Sequence, residues 1–220
     1  MKDYSNFYGS NDPRDVSHYG VTEAVSIIPG IPKSTLRNWF NGENPTLAPS
    51  DVKPLTLSFN NIVEASILRT LRVNGVQLKA VREAIAYAES QLQINHLLLH
   101  EGLRTDGVDL MLEQYGKTLS LSPSAQLYMA EMLSEHLLRI DYTDSFADKI
   151  YPIVGNNPHG KDICVDPLVS FGRATVSEKR ISTQIIHQRF NKGESVNELE
   201  ADYGLEKQQV VSAIVFEEAA

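Results

Sequence analysis

The stretch VTEAVSIIPGIPKSTLRNWFN, residues 21–41, constrains this chain more than any other, because it spells two short helices around a Pro-Gly stop. Thr22 is expected to cap the first helix through its hydroxyl, Glu23 suits the positive helix start, and Ala24, Val25 and Ile28 supply an inward face. Pro29-Gly30 ends that helix and Ile31 is placed to plug the gap. The next segment then sets Leu36, Trp39 and Phe40 on one face. Lys33, Ser34, Thr35, Arg37 and Asn38 make up its other side. Any small helical hairpin carries a polar outer face, but this mixture of cations, hydroxyls and an amide is the kind a helix needs to read a major groove. Pro32 stands where Ser or Thr would cap the second helix, so that cap hydrogen bond is expected to be missing.

After this motif a loop containing Gly42, Pro45, Pro49 and Pro54 has the composition of a short wing. Two amphipathic helices, broken at Asn74-Gly75, follow through residue 92. Thr35-Leu36-Arg37-Asn38-Trp39, the wing, and Gly75-Val76-Gln77-Leu78-Lys79-Ala80-Val81-Arg82 stand in the order in which MerR-type winged helices place "TLR" plus an aromatic and "GV(x)L(xx)(I/V)R". Residues 18–92 thus resemble a MerR-type head, and the resemblance implies DNA binding. Two departures limit it. The wing lacks the family's Arg-Tyr pair, and no downstream cysteine cluster is present to sense a metal.

Charge agrees with a DNA-facing head more than with a protein that coats nucleic acid. The formal net charge is −8, yet residues 1–95 carry nine basic and nine acidic side chains, against four and nine in 96–149 and seven and ten in 150–220. The neutral segment is the one phosphate repels least. With so little positive charge, tight binding is expected to need a homodimer reading two half-sites. The single cysteine, Cys164, excludes an internal disulfide and reads as a small core residue. With no signal peptide and no apolar run of spanning length, the expected compartment is the cytoplasm.

The middle, residues 96–149, reads as a connector and dimerisation segment. A hairpin is expected around Tyr115-Gly116, then a helix from Ser124 to Ile140 that buries Leu127, Ala130, Met132, Leu133, Leu137 and Ile140. His96 and His100 are spaced for one helical face, but they flank three leucines and lack a third ligand, so no metal and no cofactor is expected. Asp106, Asp109, Asp141, Asp144 and Asp148 follow no nuclease motif and read as solvated acids.

Residues 150–220 form a second unit, with short strands expected at 150–154, 163–165 and 174–176. Ser182 is placed to cap a helix reaching Phe190, Gly193 ends it, and Ser195-Val196-Asn197-Glu198 is a capping box for the next. A third helix from Lys207 carries Val210, Val211, Ile214 and Phe216 inward and is expected to present Lys207, Gln208, Gln209 and Ser212 outward. Glu206, Glu217 and Glu218 flank it, which favours a protein partner over phosphate. The whole chain therefore reads as α+β and mostly helical, divided at 95 and 149 into winged helix-turn-helix, connector with hairpin, and strands plus a three-helix bundle.

Asp166-Pro167, Phe171-Gly172-Arg173, Arg180-Ile181-Ser182-Thr183, Gly193-Glu194-Ser195 and Asp202-Tyr203-Gly204-Leu205 resemble the small domain found in VapB-like antitoxins of toxin-antitoxin pairs. Lys179 stands where Thr is common there. With the MerR-like head, the resemblance implies a DNA-binding antitoxin that represses its own operon and neutralises a PIN-like ribonuclease. Such nucleases hold metal with clustered carboxylates, so a guanidinium suits an inhibitor; Arg173 and Arg180 are the candidates, an ordinary internal ion pair being the competing role. The alternative is a stand-alone MerR-like transcriptional regulator whose later parts bind a ligand or a protein. A hydrolase needs converging acids and histidines, and the sequence gives no such set, so the chain reads as a non-enzyme.

Overall fold

In the computed structural model, which describes residues 12–93, 96–99, 131–143, 146–155, 157 and 159–219, the chain is α+β and mostly helical. Strand β1 (Tyr19–Gly20) leads directly into α1 (Val21–Ile27), and α2 (Lys33–Asn41) follows the Pro29-Gly30 turn. Gly20, not Thr22, occupies the cap position of α1, because pairing of β1 fixes the extended backbone there. Pro32 begins α2 without a side-chain cap, as its chemistry requires. A nine-residue helix is too short to persist alone. What holds α2 is the burial of Leu36, Trp39 and Phe40, each worth about 1.5–3 kcal/mol.

The expected wing is a hairpin of β2 (Asp51–Val52) and β3 (Leu55–Leu57), with a cis Lys53-Pro54 bond at its turn. β3 also pairs with β1, Tyr19 opposite Leu57, which ties the wing to the start of α1. Helix α3 (Phe59–Val73) starts at a capping box between Ser58 and Asn61. Asn61 does more than cap. Its side-chain oxygen accepts from the Ser50 amide and hydroxyl at 2.9 and 2.8 Å, and its nitrogen donates to the Ala48 carbonyl at 2.9 Å. One buried amide thus locks the wing's approach to α3. The break falls at Asn74-Gly75, where Gly75 takes a φ of +90°, and α4 (Leu78–Tyr87) runs on into a π-helical turn, Ala88–Leu92.

Residues 131–137 are helical and bury Leu133 and Leu137, but Ile140 opens a strand instead of ending that helix. β4 (Ile140–Thr143) pairs antiparallel with β5 (Phe146–Ile150). Ile150, expected to start a strand, ends one, and its backbone bonds Val165 in both directions at 3.1 and 2.8 Å. The division at 149 therefore falls inside β5, and a cut there would break its pairing with β4 and Val165. The Tyr115-Gly116 hairpin, His100, Asp106, Asp109, Asp144, Leu127 and Ala130 lie outside the described residues.

The last part holds a three-stranded antiparallel sheet of β6 (Ile163–Cys164), β7 (Thr175–Val176) and β8 (Ile181–Ser182), in that order. Helices α5 (Thr183–Asn191), α6 (Val196–Tyr203) and α7 (Lys207–Glu218) complete it. The capping box of Ser195 and Glu198 forms, and Gly204 ends α6 with a φ of +60°. Ser182 sits at the cap of α5 without a side-chain bond. One continuous set of buried apolar side chains runs from Tyr19 to Phe216. The Tyr19 hydroxyl, fully buried, donates to the Gly172 carbonyl at 2.8 Å and ties the two ends of the sequence together.

Candidate functional site

The outward side of α2 is a consequence of its seam. With Leu36, Trp39 and Phe40 turned into the core, Lys33, Ser34, Arg37 and Asn38 are exposed and Thr35 is half-buried. Among the described residues neither Lys33 nor Arg37 forms an ion pair. Gly42 caps the helix end in an extended conformation, where a Cβ would lie 2.6 Å from the Asn38 carbonyl oxygen. The chain then doubles back, the Thr46 and Leu47 amides donating to the Trp39 carbonyl at 2.9 and 3.0 Å. Arg82, the last residue of the MerR-like match, donates from Nε to the Thr46 hydroxyl at 3.2 Å and so braces the loop that leads to the wing. The wing itself exposes Asp51, Val52 and Lys53.

Arg173 and Arg180 are both exposed, and among the described residues neither makes an ion pair. They sit at opposite ends of the β7–β8 hairpin: Arg173 precedes β7, and Arg180 closes the turn before β8 with a φ of +57°. Arg173 borders a cleft of about 490 Å³ between α1 and the C-terminal helices, with Glu23 and Glu217 also on its walls. Beside it, Phe171 is 66% exposed, and Ser170 and Phe171 both take left-handed conformations, φ +50° and +55°. Two consecutive non-glycine residues in that region store strain. An exposed aromatic held this way next to an arginine has the composition of a protein-contact point. No periodicity signals Phe171, since its exposure follows from backbone conformation.

Most of the remaining quoted pattern is structural. Asp166 accepts from the Leu168 amide at 2.8 Å; the hydroxyl of buried Thr183 lies 3.1 Å from the Ala174 carbonyl oxygen and within hydrogen-bond reach of Glu217, sharing its one proton between them. Arg189 joins Glu194 and Asp202 and lies over the Tyr203 ring, so Gly193-Glu194-Ser195 and Asp202-Tyr203 form a pin between α5 and α6. Ser212, expected outward on α7, is buried and donates to Asp162 at 2.7 Å. Lys207 and Gln208 are exposed, while Gln209 is half-buried and accepts from the Glu206 amide.

Cys164 is buried in β6, and burial pushes its thiol up, away from the reactive thiolate. Asp141 is engaged by the Tyr151 hydroxyl at 2.6 Å and by Lys161 at 3.2 Å. His96 faces Glu64 at 3.5 Å, and that carboxylate raises the imidazole above its ordinary value. Among the described residues no cluster of three metal-ligating side chains exists, and no helix is long and apolar enough to cross a membrane.

A family model described as a protein of unknown function (DUF433) matches residues 163–216, the sheet and three helices of the last part. No curated protein matches the chain. Among solved structures, the X-ray crystal structure of Rv2018 from Mycobacterium tuberculosis is similar at 21% identity and a TM-score of 0.73, over 90% of this chain and 98% of that one. At that identity the likeness is one of fold, and it extends beyond residues 163–216 to nearly the whole chain.

Proposed function

We propose that this chain is a cytoplasmic DNA-binding antitoxin of a type II toxin-antitoxin pair, which represses its own operon as a homodimer and neutralises a PIN-like ribonuclease. The observation that carries the DNA half is α2: an apolar face buried to the last large side chain, and an opposite face of exposed Lys33, Ser34, Arg37 and Asn38 beside a hairpin wing. That arrangement presents donors to base edges and phosphates while the scaffold fixes their direction. The partner half rests on the VapB-like pattern and on the Phe171–Arg173 point, where a guanidinium stands ready for a carboxylate cluster. Arg180, at the far end of the hairpin, is the second candidate.

Co-expression with the neighbouring open reading frame tests both halves. A stable complex with a small nuclease, loss of its ribonuclease activity and a shift of the operon promoter are expected. Arg37→Ala should weaken promoter binding by about 1–3 kcal/mol if Arg37 reads a base edge. An unchanged isotherm for a folded Lys33→Ala/Arg37→Ala variant would exclude α2 as the reading helix. Arg173→Glu places like charge against the nuclease's acids and should release it. A chain that binds its promoter but purifies without a partner would instead be a stand-alone regulator.

A further inference from the structure

A cavity of about 190 Å³ lies between the end of α1, helix α3, the 131–137 helix and the strand β5. Ile27, Ile28, Val73 and Ile150 give it apolar walls, Arg69 and Arg139 cationic ones, and His136 an imidazole edge. Arg139 is only 6% exposed and donates from Nε and Nη2 to the Tyr151 carbonyl. The Arg69 Nε is out of contact with water and has no hydrogen-bond partner. Its guanidinium lies on the turn of the helix-turn-helix, since a Cβ added at Gly30 would stand 2.5 Å from Nη2.

Among the described residues no carboxylate is within ion-pair distance of Arg69; the acid on the rim, Glu135, is exposed. His136 Nε2 lies 3.2 Å from the Ser66 hydroxyl, which itself donates to the Val63 carbonyl, so the imidazole donates and adds a further positive edge. An orphaned guanidinium nitrogen out of water costs free energy that nothing in the described protein repays. An anion would repay it.

We propose that this cavity binds a small organic carboxylate, with Arg69 as its charge partner and the isoleucine and valine walls around its apolar body. The volume is close to the roughly 150 Å³ of an engineered apolar cavity that takes up benzene, which suits a body of benzoate or hexanoate size. One under-satisfied guanidinium matches one planar carboxylate, which accepts two parallel N–H bonds. Because the walls include Ile27, Ile28 and Pro29 and Arg69 rests on Gly30, the occupant is an effector of the helix-turn-helix. The binding itself does not depend on the antitoxin reading and is measured without DNA or partner.

The full chain is titrated with benzoate and with hexanoate by calorimetry and followed by thermal melting, with benzyl alcohol, benzylamine and phenyl phosphate as comparisons. One site per chain and a raised melting temperature are expected for at least one carboxylate, with no effect from the alcohol or the amine. Arg69→Met should bind at least tenfold more weakly while melting no lower than the wild type without ligand. In the wild-type chain the Arg69 Nε–H resonance should move on saturation, a readout that survives even if the variant does not fold. Absence of binding by both carboxylates, an unmoved Arg69 resonance, or undiminished binding by Arg69→Met overturns the proposal. Tighter binding of phenyl phosphate than of either carboxylate overturns the choice of ligand class.

Discussion

Gly172→Ala should destabilise the whole chain, including α1 and α2 more than 130 residues away in sequence. A Cβ at Gly172 would stand 2.1 Å from the Tyr19 hydroxyl oxygen and 2.9 Å from His18 Nε2, and the residue's φ is +73°. Tyr19 is fully buried, so its ring cannot swing clear without opening the core. The left-handed backbone, the overpacking and the lost hydrogen bond to the Gly172 carbonyl add up to roughly 4 kcal/mol, a large share of a total that is typically about 5–15 kcal/mol. Denaturant melts read by Trp39, the chain's single tryptophan, and by exposure of the Cys164 thiol check this. Both midpoints should fall together. Tyr19→Phe removes the colliding oxygen, so the double variant should be less destabilised than the two single losses combined, by about 1 kcal/mol or more. If Trp39 keeps its wild-type midpoint while Cys164 opens early, the two ends of the chain fold independently and the Tyr19–Gly172 contact does not couple them.

That test bears on what the sequence reveals and what it hides. The helices were legible because their signals are local: the seam of Leu36, Trp39 and Phe40 repeats at helical spacing, and the Ser195–Glu198 box sits within one turn. The strands were legible only in part: 163–165 and 174–176 hold β6 and β7, but most strands are two residues long and exist only through distant partners. Tyr19 pairs with Leu57 and Ile150 bonds Val165, and neither residue announces its partner. The division placed at 149 falls inside β5 for the same reason, since a short half-buried strand carries the composition of a loop. Of the candidate site, the direction of Lys33, Ser34, Arg37 and Asn38 followed from the seam. Phe171 did not, since backbone conformation alone exposes it, and the meeting of Arg69 with His136 and Arg139 needed the fold to bring together residues about 70 apart.

Acidification should expose the cost of that meeting. Burial, and then the positive charges of Arg139 and Arg69, lower His136 from an ordinary value of 6.5 to about 4. Between those two values the unfolded chain binds a proton that the folded chain refuses, so stability rises with pH across this window and falls as pH drops through it. The full shift corresponds to about 3 kcal/mol, and about 2 kcal/mol of it should be lost between pH 7.5 and pH 5. His96 acts in the opposite sense, because Glu64 raises it and its contribution fades as pH increases, but its side chain is 70% exposed and the effect is correspondingly screened. His136→Gln separates the two, since the amide can still donate to Ser66 while carrying no titratable proton, and His96 is common to both proteins. Urea melts of the two chains at pH 7.5 and pH 5 should therefore diverge, the wild type losing about 2 kcal/mol more than the variant. Parallel losses would mean that His136 titrates normally and that burial beside Arg139 and Arg69 does not hold it neutral.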